Sequence, residues 1–426
     1  MKPIANIVSA TLLACLAPTV PVMAESAEDV PAYAKKLAEA GKLHRLALEY
    51  DGETFSGPAM DKLLEEGRKA QFFLIGEEHG IAENPELATA LFKQLQPAGY
   101  AKLVIEVSPY VASHMDETLR KGGIDGLRNL FARPGGEPAF FGMREEAQFL
   151  ADVRASSGSS EPLLWGVDYE VASERLLLSA LEEMDKPEAA VVKLAALRNA
   201  SDASWEKYEE TRGPQYIFSF SGDPELVQAV KDAWPERSGQ AEQLLNTLQQ
   251  TLEINRLFVG RQILESNAQR SALIRSNFLK HWAAEKARGE TPRVMVKLGA
   301  SHLVRGRNFT EVFDLGPMLH EIATLEGGKA FSVLVLPGLN AQTAVFDPTQ
   351  FSYRPAPAKD GYAKAARPLY DAAWPDKYTL IDLRPLRSIL RSPRSGASAS
   401  LMKTVHGFDM VLIMSGSTAS AELTHP

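Results

Sequence analysis

Glu77 and His79, a carboxylate and an imidazole able to do acid–base chemistry, stand two residues apart just after the apolar run Gln71–Ile75. On an extended segment such residues point to the same side, so the two can face one volume. A carboxylate beside an imidazole raises its pKa and fixes its tautomer, which suits general-base work near neutral pH. The same residue types recur where other apolar runs stop. Lys102–Val107 carries Glu106, Leu163–Val167 runs into Asp168-Tyr169-Glu170, and Arg293–Leu298 runs into Gly299-Ala300-Ser301-His302. Asp168 and Glu170 repeat the two-residue spacing. Gly76 and Gly80 flank the first pair and predict a tight turn that leaves the site open to a ligand. Two histidines and several carboxylates would equally suit a divalent metal with N and O ligands. Taken singly, each acid could cap a helix or answer its macrodipole. Independent capping does not require both histidines to follow strands, so the joint pattern predicts a site.

The elements that must position these residues are legible as periodicity. Seven apolar runs read as strands: the four above, then Phe331–Leu336, Tyr378–Leu383 and Asp409–Met414. Most are continuous rather than alternating, as in strands buried on both faces. Helical segments such as Pro85–Leu95 and Met143–Arg154 stand between them. Strand–helix–strand order predicts an α/β fold, with a mostly parallel central sheet flanked by helices. In such sheets ligands bind outside the carboxyl ends of the strands, where four of these runs deliver an acid or a histidine. From about 171 to 291 the pattern is helical, with Leu244, Leu248, Leu252 and Leu257 marking one long amphipathic helix and Ile263 to Trp282 continuing in the same style. This predicts a helical insert or cap between the third and fourth of these strands. Tyr208, Tyr216, Phe218 and Phe220 cluster around Gly213-Pro214 within it, as packing or as the lining of a substrate cleft. Ser352 to Arg367 reads as a surface loop and Arg391–Ser400 as a flexible turn.

The chain has 426 residues and a formal net charge of −8 with both signs interspersed, which argues against nucleic acid as a partner. The basic run Arg384 to Arg394 is short and reads as a solvated loop or helix face. At the N-terminus, Lys2, the apolar stretch Ile4 to Ala17 and Val22-Met23-Ala24 predict a signal peptide over 1–24, leaving 25–426 as the mature α/β domain. No later stretch is long enough for a transmembrane span. The expected location is periplasmic or secreted. Cleavage after Ala24 removes Cys15, the single cysteine, and with it any disulfide. Leu12-Leu13-Ala14-Cys15 also looks like a lipobox, which makes a lipid anchor at Cys15 the alternative. His44, His114, His281, His320, His406 and His425 lack an accompanying acid cluster and read as surface or packing residues. No nucleophile elbow, P-loop or nucleotide-binding glycine fingerprint is present.

At the site residues the chain resembles the erythromycin esterase-like proteins, whose superfamily includes the ChaN-like haem-uptake proteins and the Tiki proteases. Leu74 to Gly80 looks like the opening motif, Val104-Ile105-Glu106 like the second-strand glutamate, and Gly166-Val167-Asp168 like the third-strand aspartate. Glu265 to Asn277, with Arg270, resembles the helix before the next strand, and Lys297 to His302 the late histidine motif. The resemblance runs from about Gln71 to about Glu422, and Gly407 to Ile413 looks like the closing strand of the esterase-like branch. Erythromycin esterases generally place two residues between the first Glu and His, whereas only Glu78 intervenes here, a spacing closer to ChaN and Tiki.

The resemblance and the residues together imply an exported hydrolase cleaving an ester or amide of a small-molecule or peptide substrate. His79 would be the base, oriented by Glu77 or Glu106, with His302 as acid or oxyanion stabiliser and Asp168 and Arg270 binding substrate. Metal participation is left open by the donor set. The alternatives are a non-catalytic haem-, iron- or metal-binding envelope protein of ChaN type and a Tiki-type metalloprotease.

Overall fold

The computed structural model describes residues 31–133, 135–358, 360–391 and 396–423. The signal peptide expected over 1–24, and Cys15 within it, lie outside the described residues.

The strands are β1 (Arg45–Tyr50), β2 (Phe55–Ser56), β3 (Phe72–Glu77), β4 (Tyr100–Ile105), β5 (Leu164–Gly166), β6 (Arg293–Gly299), β7 (Ala330–Pro337), β8 (Gln342–Asp347), β9 (Ser352–Pro357), β10 (Tyr378–Asp382) and β11 (Met410–Met414). The central sheet runs β2-β1-β10-β11-β7-β3-β6-β4-β5. From β11 to β5 neighbouring strands are parallel. The antiparallel edge is β10, β1 and β2. The continuous apolar runs of the parallel part are explained by burial on both faces. Phe73, Ile75, Leu103 and Met295 pack into one core, while Phe72, Leu74, Val104, Val294 and Val296 pack into a second across the sheet.

Chain order makes the site. From β3 the chain moves outward to β4 and β5, returns through β6 into the slot between β3 and β4, and then crosses to β7 on the far side of β3. Connections therefore diverge around β3 and β6, and a crevice opens at their carboxyl ends.

Between β5 and β6 lie the helices Glu174–Glu182, Glu188–Thr211, Pro224–Ala233, Gly239–Val259 and Ile263–Ala287. The last of these bears on the site. Ile274, Phe278 and Trp282 recur on one of its faces and are buried. The ring of Phe278 meets Phe72 edge-on at 5.9 Å and Trp165 at 5.8 Å. This packing docks the helix against β3 and β5 and carries Arg270, one turn before Ile274, over the strand ends. Tyr208 and Phe218 of the aromatic cluster are buried, and the Tyr208 hydroxyl donates to the Pro348 carbonyl at 2.7 Å.

Three local expectations are corrected. Ser352 to Arg367 is not a plain surface loop, because β9 pairs antiparallel with β8 from Ser352 opposite Asp347 to Pro357 opposite Gln342. Its prolines suggested a loop, yet a two-stranded ribbon has an outer edge on which they cost no ladder bond. The helices Asp360–Ala365 and Arg367–Ala372 follow it. The basic run is not simply solvated: Arg384 pairs with Asp382 and with Glu66 at 3.0 Å, and Arg387 with Asp409 at 3.1 Å. Of the turn expected over 391–400, residues 392–395 lie outside the described residues, and Ser398 caps the Ala399–Gly407 helix through Leu401 N–H.

Candidate active site

Glu77 closes β3 and His79 follows it, both on the side of the crevice. Glu77 Oε1 lies 3.0 Å from His79 Nδ1 and accepts from Lys297 Nζ at 2.7 Å, while its other oxygen accepts from the Asn84 amide. His79 Nε2 lies 3.6 Å from Glu106 Oε2. Phe140 stacks on the imidazole with ring centroids 3.9 Å apart. The His79 side chain is 19% exposed, and beneath it Glu77, Glu106, Glu146, Lys297 and three phenylalanines enclose a cavity of about 10 Å³. Such a space has room for about one water molecule.

Glu106 is the centre of the arrangement. Its Oε2 accepts the Gly299 N–H at 2.7 Å and its Oε1 accepts from Arg270 at 2.8 Å. His302 Nε2 is buried and faces Oε1 at 3.4 Å, a long ion-pair contact. On the other side of the ring, His302 Nδ1 lies 2.9 Å from Asp314 Oδ2, which also accepts from the Ser271 hydroxyl at 2.7 Å. Arg270 Nε lies 3.0 Å from Asp168 Oδ1, and a second guanidinium nitrogen bonds the same carboxylate, giving a fork. The guanidinium stacks over Tyr169 at 4.8 Å. Asn277, two turns along the same helix, donates to the Val167 carbonyl at 3.0 Å.

Burial opposes the charge on His302, but Asp314 and Glu106 outweigh it and push the imidazole up to about 10. Burial likewise opposes the charge on His79, and Glu77 and Glu106 again prevail, holding it above its ordinary value. Glu106 is held well below the usual carboxylate range: burial raises it, but His302, His79 and Arg270 more than compensate. Glu77 is lowered in the same way, by Lys297 and His79 against burial. Glu146, on the Arg144–Ser157 helix, goes the opposite way. Burial pushes it up to about 7, with the Glu77 charge adding to the effect and Lys297 opposing it.

All six residues singled out in the sequence meet here. Their relations differ in part from the expectation. Asp168 and Arg270 are bound to each other, and Arg270 also to Glu106, rather than both facing a ligand. Glu170 turns away from the site, accepting from the Ser108 hydroxyl at 2.9 Å. Gly76 and Gly80 do not hold the site open. A Cβ on Gly76 would lie 2.9 Å from the Phe408 ring, and one on Gly80, whose φ is +90°, would lie 2.3 Å from the Ala344 carbonyl oxygen. These glycines admit protein, not ligand. Among the described histidines outside the site, His114 stacks on Tyr110 and His281 on Trp165.

Asn84, Phe140, Glu146, Ser271, Lys297 and Asp314 were not anticipated. Only Lys297 left a signal, a cation in the midst of the apolar run Val294 to Leu298, which burial obliges to find an anion. The others reach the site from separate elements, and no spacing connects them to it.

One ligand atom each from Glu106, Asp168 and His302 lie within 4.8 Å of one another, a donor set with the right chemistry for a divalent cation. The arrangement does not fit one. Arg270 donates to both carboxylates and already fills the space between them, and His302 is held on its other side by Asp314. The cation between these acids is the guanidinium.

A mostly parallel central sheet flanked by helices places this chain in the α/β class. The chain shares its fold with the erythromycin esterase EreC, solved as a variant in its open conformation, over 88% of this chain and 98% of that one, with a TM-score of 0.59 and 15% identity. A Bacillus cereus protein matches over 92% of this chain and 99% of its own, with a TM-score of 0.58 and 15% identity. A succinoglycan biosynthesis protein matches over 93% and 100%, with a TM-score of 0.57 and 12% identity. No family model matches the chain, and no curated protein matches it in sequence. The resemblance read from the motifs is matched here at the level of the fold.

Proposed function

We propose that this protein is a hydrolase of the cell envelope that cleaves an ester or amide with water activated by His79. The observation that carries this reading is the placing of two imidazoles, one partly exposed and one buried, about one carboxylate. His79 is oriented by Glu77 at 3.0 Å, while the buried His302 turns its Nε2 to the same Glu106, 3.4 Å from Oε1. A charged N–H held this loosely by a carboxylate is a donor that an oxyanion can take over.

With Nδ1–H donated to Glu77, the Nε2 lone pair of His79 takes a proton from water as the oxygen attacks the substrate carbonyl. The tetrahedral oxyanion accepts from His302 Nε2–H, which stays protonated up to about pH 10. Collapse expels the alcohol or amine, which takes the proton now on His79 and restores the neutral base. Arg270 and Asp168 fix Glu106, which balances the positive charge on both imidazoles. The cavity below His79 is too small for a substrate, so the carbonyl approaches the base from the exposed part of the imidazole. The similarity of fold to an erythromycin esterase supports hydrolysis as the reaction class.

A panel of carboxylic esters and amides, assayed on the purified mature protein with and without chelator, tests this reading. Turnover insensitive to chelator is expected. A preparation that turns over no ester or amide, and instead carries haem colour lost on changing His79 and His302, would favour a binding protein.

A further inference from the structure

Lys297 is a buried cation for which the reaction above has no direct use. Its Nζ lies 2.7 Å from Glu77 Oε1 and 2.6 Å from Glu146 Oε1, and all three residues are buried. Its strand neighbours Val296 and Leu298 are apolar, and an apolar side chain of similar volume would satisfy packing without the cost of desolvating three charges. The ion triad therefore asks for an explanation beyond the fold.

Its geometry supplies one. Lys297 and His79 share the same oxygen of Glu77, so the ammonium fixes the carboxylate that orients the imidazole. Glu146 anchors the ammonium, and its second oxygen is buried without a partner. Glu146, Lys297 and His79 line the same small cavity. The charged groups facing His79 come from four elements: Glu77 at the end of β3, Glu106 after β4, Lys297 on β6 and Glu146 on the Arg144–Ser157 helix. Phe140 covers the ring.

We infer that Lys297 and Glu146 are positioning residues for His79, the ammonium holding Glu77 against Nδ1 while offsetting the negative field of the surrounding carboxylates. This rests on His79 being the base of the proposed reaction. The two residues act on the imidazole with opposite sign. Lys297→Met removes a repelling charge, so the acid limb of kcat/KM should move to higher pH, by about one pH unit. Glu146→Gln removes the charge that Glu146 carries above about pH 7 and leaves the ammonium to oppose protonation of His79, so the limb should move to lower pH. The double variant should return it towards the parent position.

The experiment follows the Cε1–H resonance of His79, assigned with His79→Gln, through a pH titration of each variant without substrate, beside the pH–rate profiles. Opposed shifts of the resonance and of the acid limb support the inference. A resonance that stays put in both single variants, or moves the same way in both, overturns it, since a merely structural role would lower the melting temperature without this signature. If Lys297→Met fails to fold, the downward shift expected for Glu146→Gln decides alone. The titration needs no turnover. Opposed shifts in a protein that hydrolyses nothing would therefore reject the hydrolase reading while leaving the positioning role standing.

Discussion

His79 and His302 are the same side chain given different work by their neighbours. His302 is buried against Asp314, which accepts a bond from Ser271 and is itself held below its ordinary value; burial opposes that charge and His302 favours it. His79 keeps partial exposure and shares its negative neighbours with Lys297, whose charge opposes the rise in its pKa. The two shifts set a pH profile. Below its raised pKa His79 is protonated and cannot accept a proton, so kcat/KM should fall on the acid side, with its midpoint above the roughly 6.5 of an ordinary imidazole. On the alkaline side it should fall as His302 loses its proton near about 10. A profile flat from pH 6 to 10, an interval of roughly four units around the imidazole range, would contradict these assignments. At this scale the sequence was informative wherever a residue followed a strand, because strand ends are visible as the end of an apolar run. It was silent about Asn84, Glu146 and Asp314, whose roles exist only once separate elements have packed.

At the scale of elements, the loop after β3 and the β8–β9 ribbon are built as one joint. Gly80 takes a positive φ, and its carbonyl accepts from Ala344 N–H at 2.8 Å and from Ser420 N–H at 2.9 Å. Tyr353 of β9 accepts the Phe140 N–H at 2.7 Å, so the same ribbon steadies the ring over His79. Phe140 itself holds φ near 70°, a conformation a bulky residue adopts only when its surroundings enforce it. Gly80→Ala adds both a disfavoured φ and a collision with Ala344, and should destabilise the fold by roughly 2–3 kcal/mol while lowering kcat. Chemical denaturation checks the first effect, and a variant as stable as the parent would refute the joint. The seven strands read from the sequence are the buried ones, whose continuous apolar runs are their signature. β1, β2, β8 and β9 carry no such run. β1 is a half-exposed edge-side strand rich in charge (Arg45–Tyr50), β2 spans only two residues, and β9 carries prolines at 355 and 357. Edge strands owe their existence to a partner rather than to their own composition.

At the scale of the whole molecule, the parallel order of β3, β4, β5 and β6 is what turns four strand-end residues into one site. None of the described helices is long and apolar enough to cross a membrane. Export is expected from the sequence alone and is testable on the intact chain. Intact-mass measurement of the protein recovered from a bacterial host's envelope should give a chain beginning at Glu25. A lipid-modified chain beginning at Cys15, or an uncleaved one, would contradict soluble export. The fold is shared with an erythromycin esterase at 15% identity, so the substrate must be found by assay of this chain.

His79 is proposed as the base that activates water. The most direct test compares kcat for His79→Ala with the parent, on whichever ester or amide the protein turns over best, with melting temperatures measured alongside. A loss of roughly 10²–10⁴-fold in kcat with the melting temperature little changed is the expected result. Retained turnover in a folded His79→Ala protein would contradict the account.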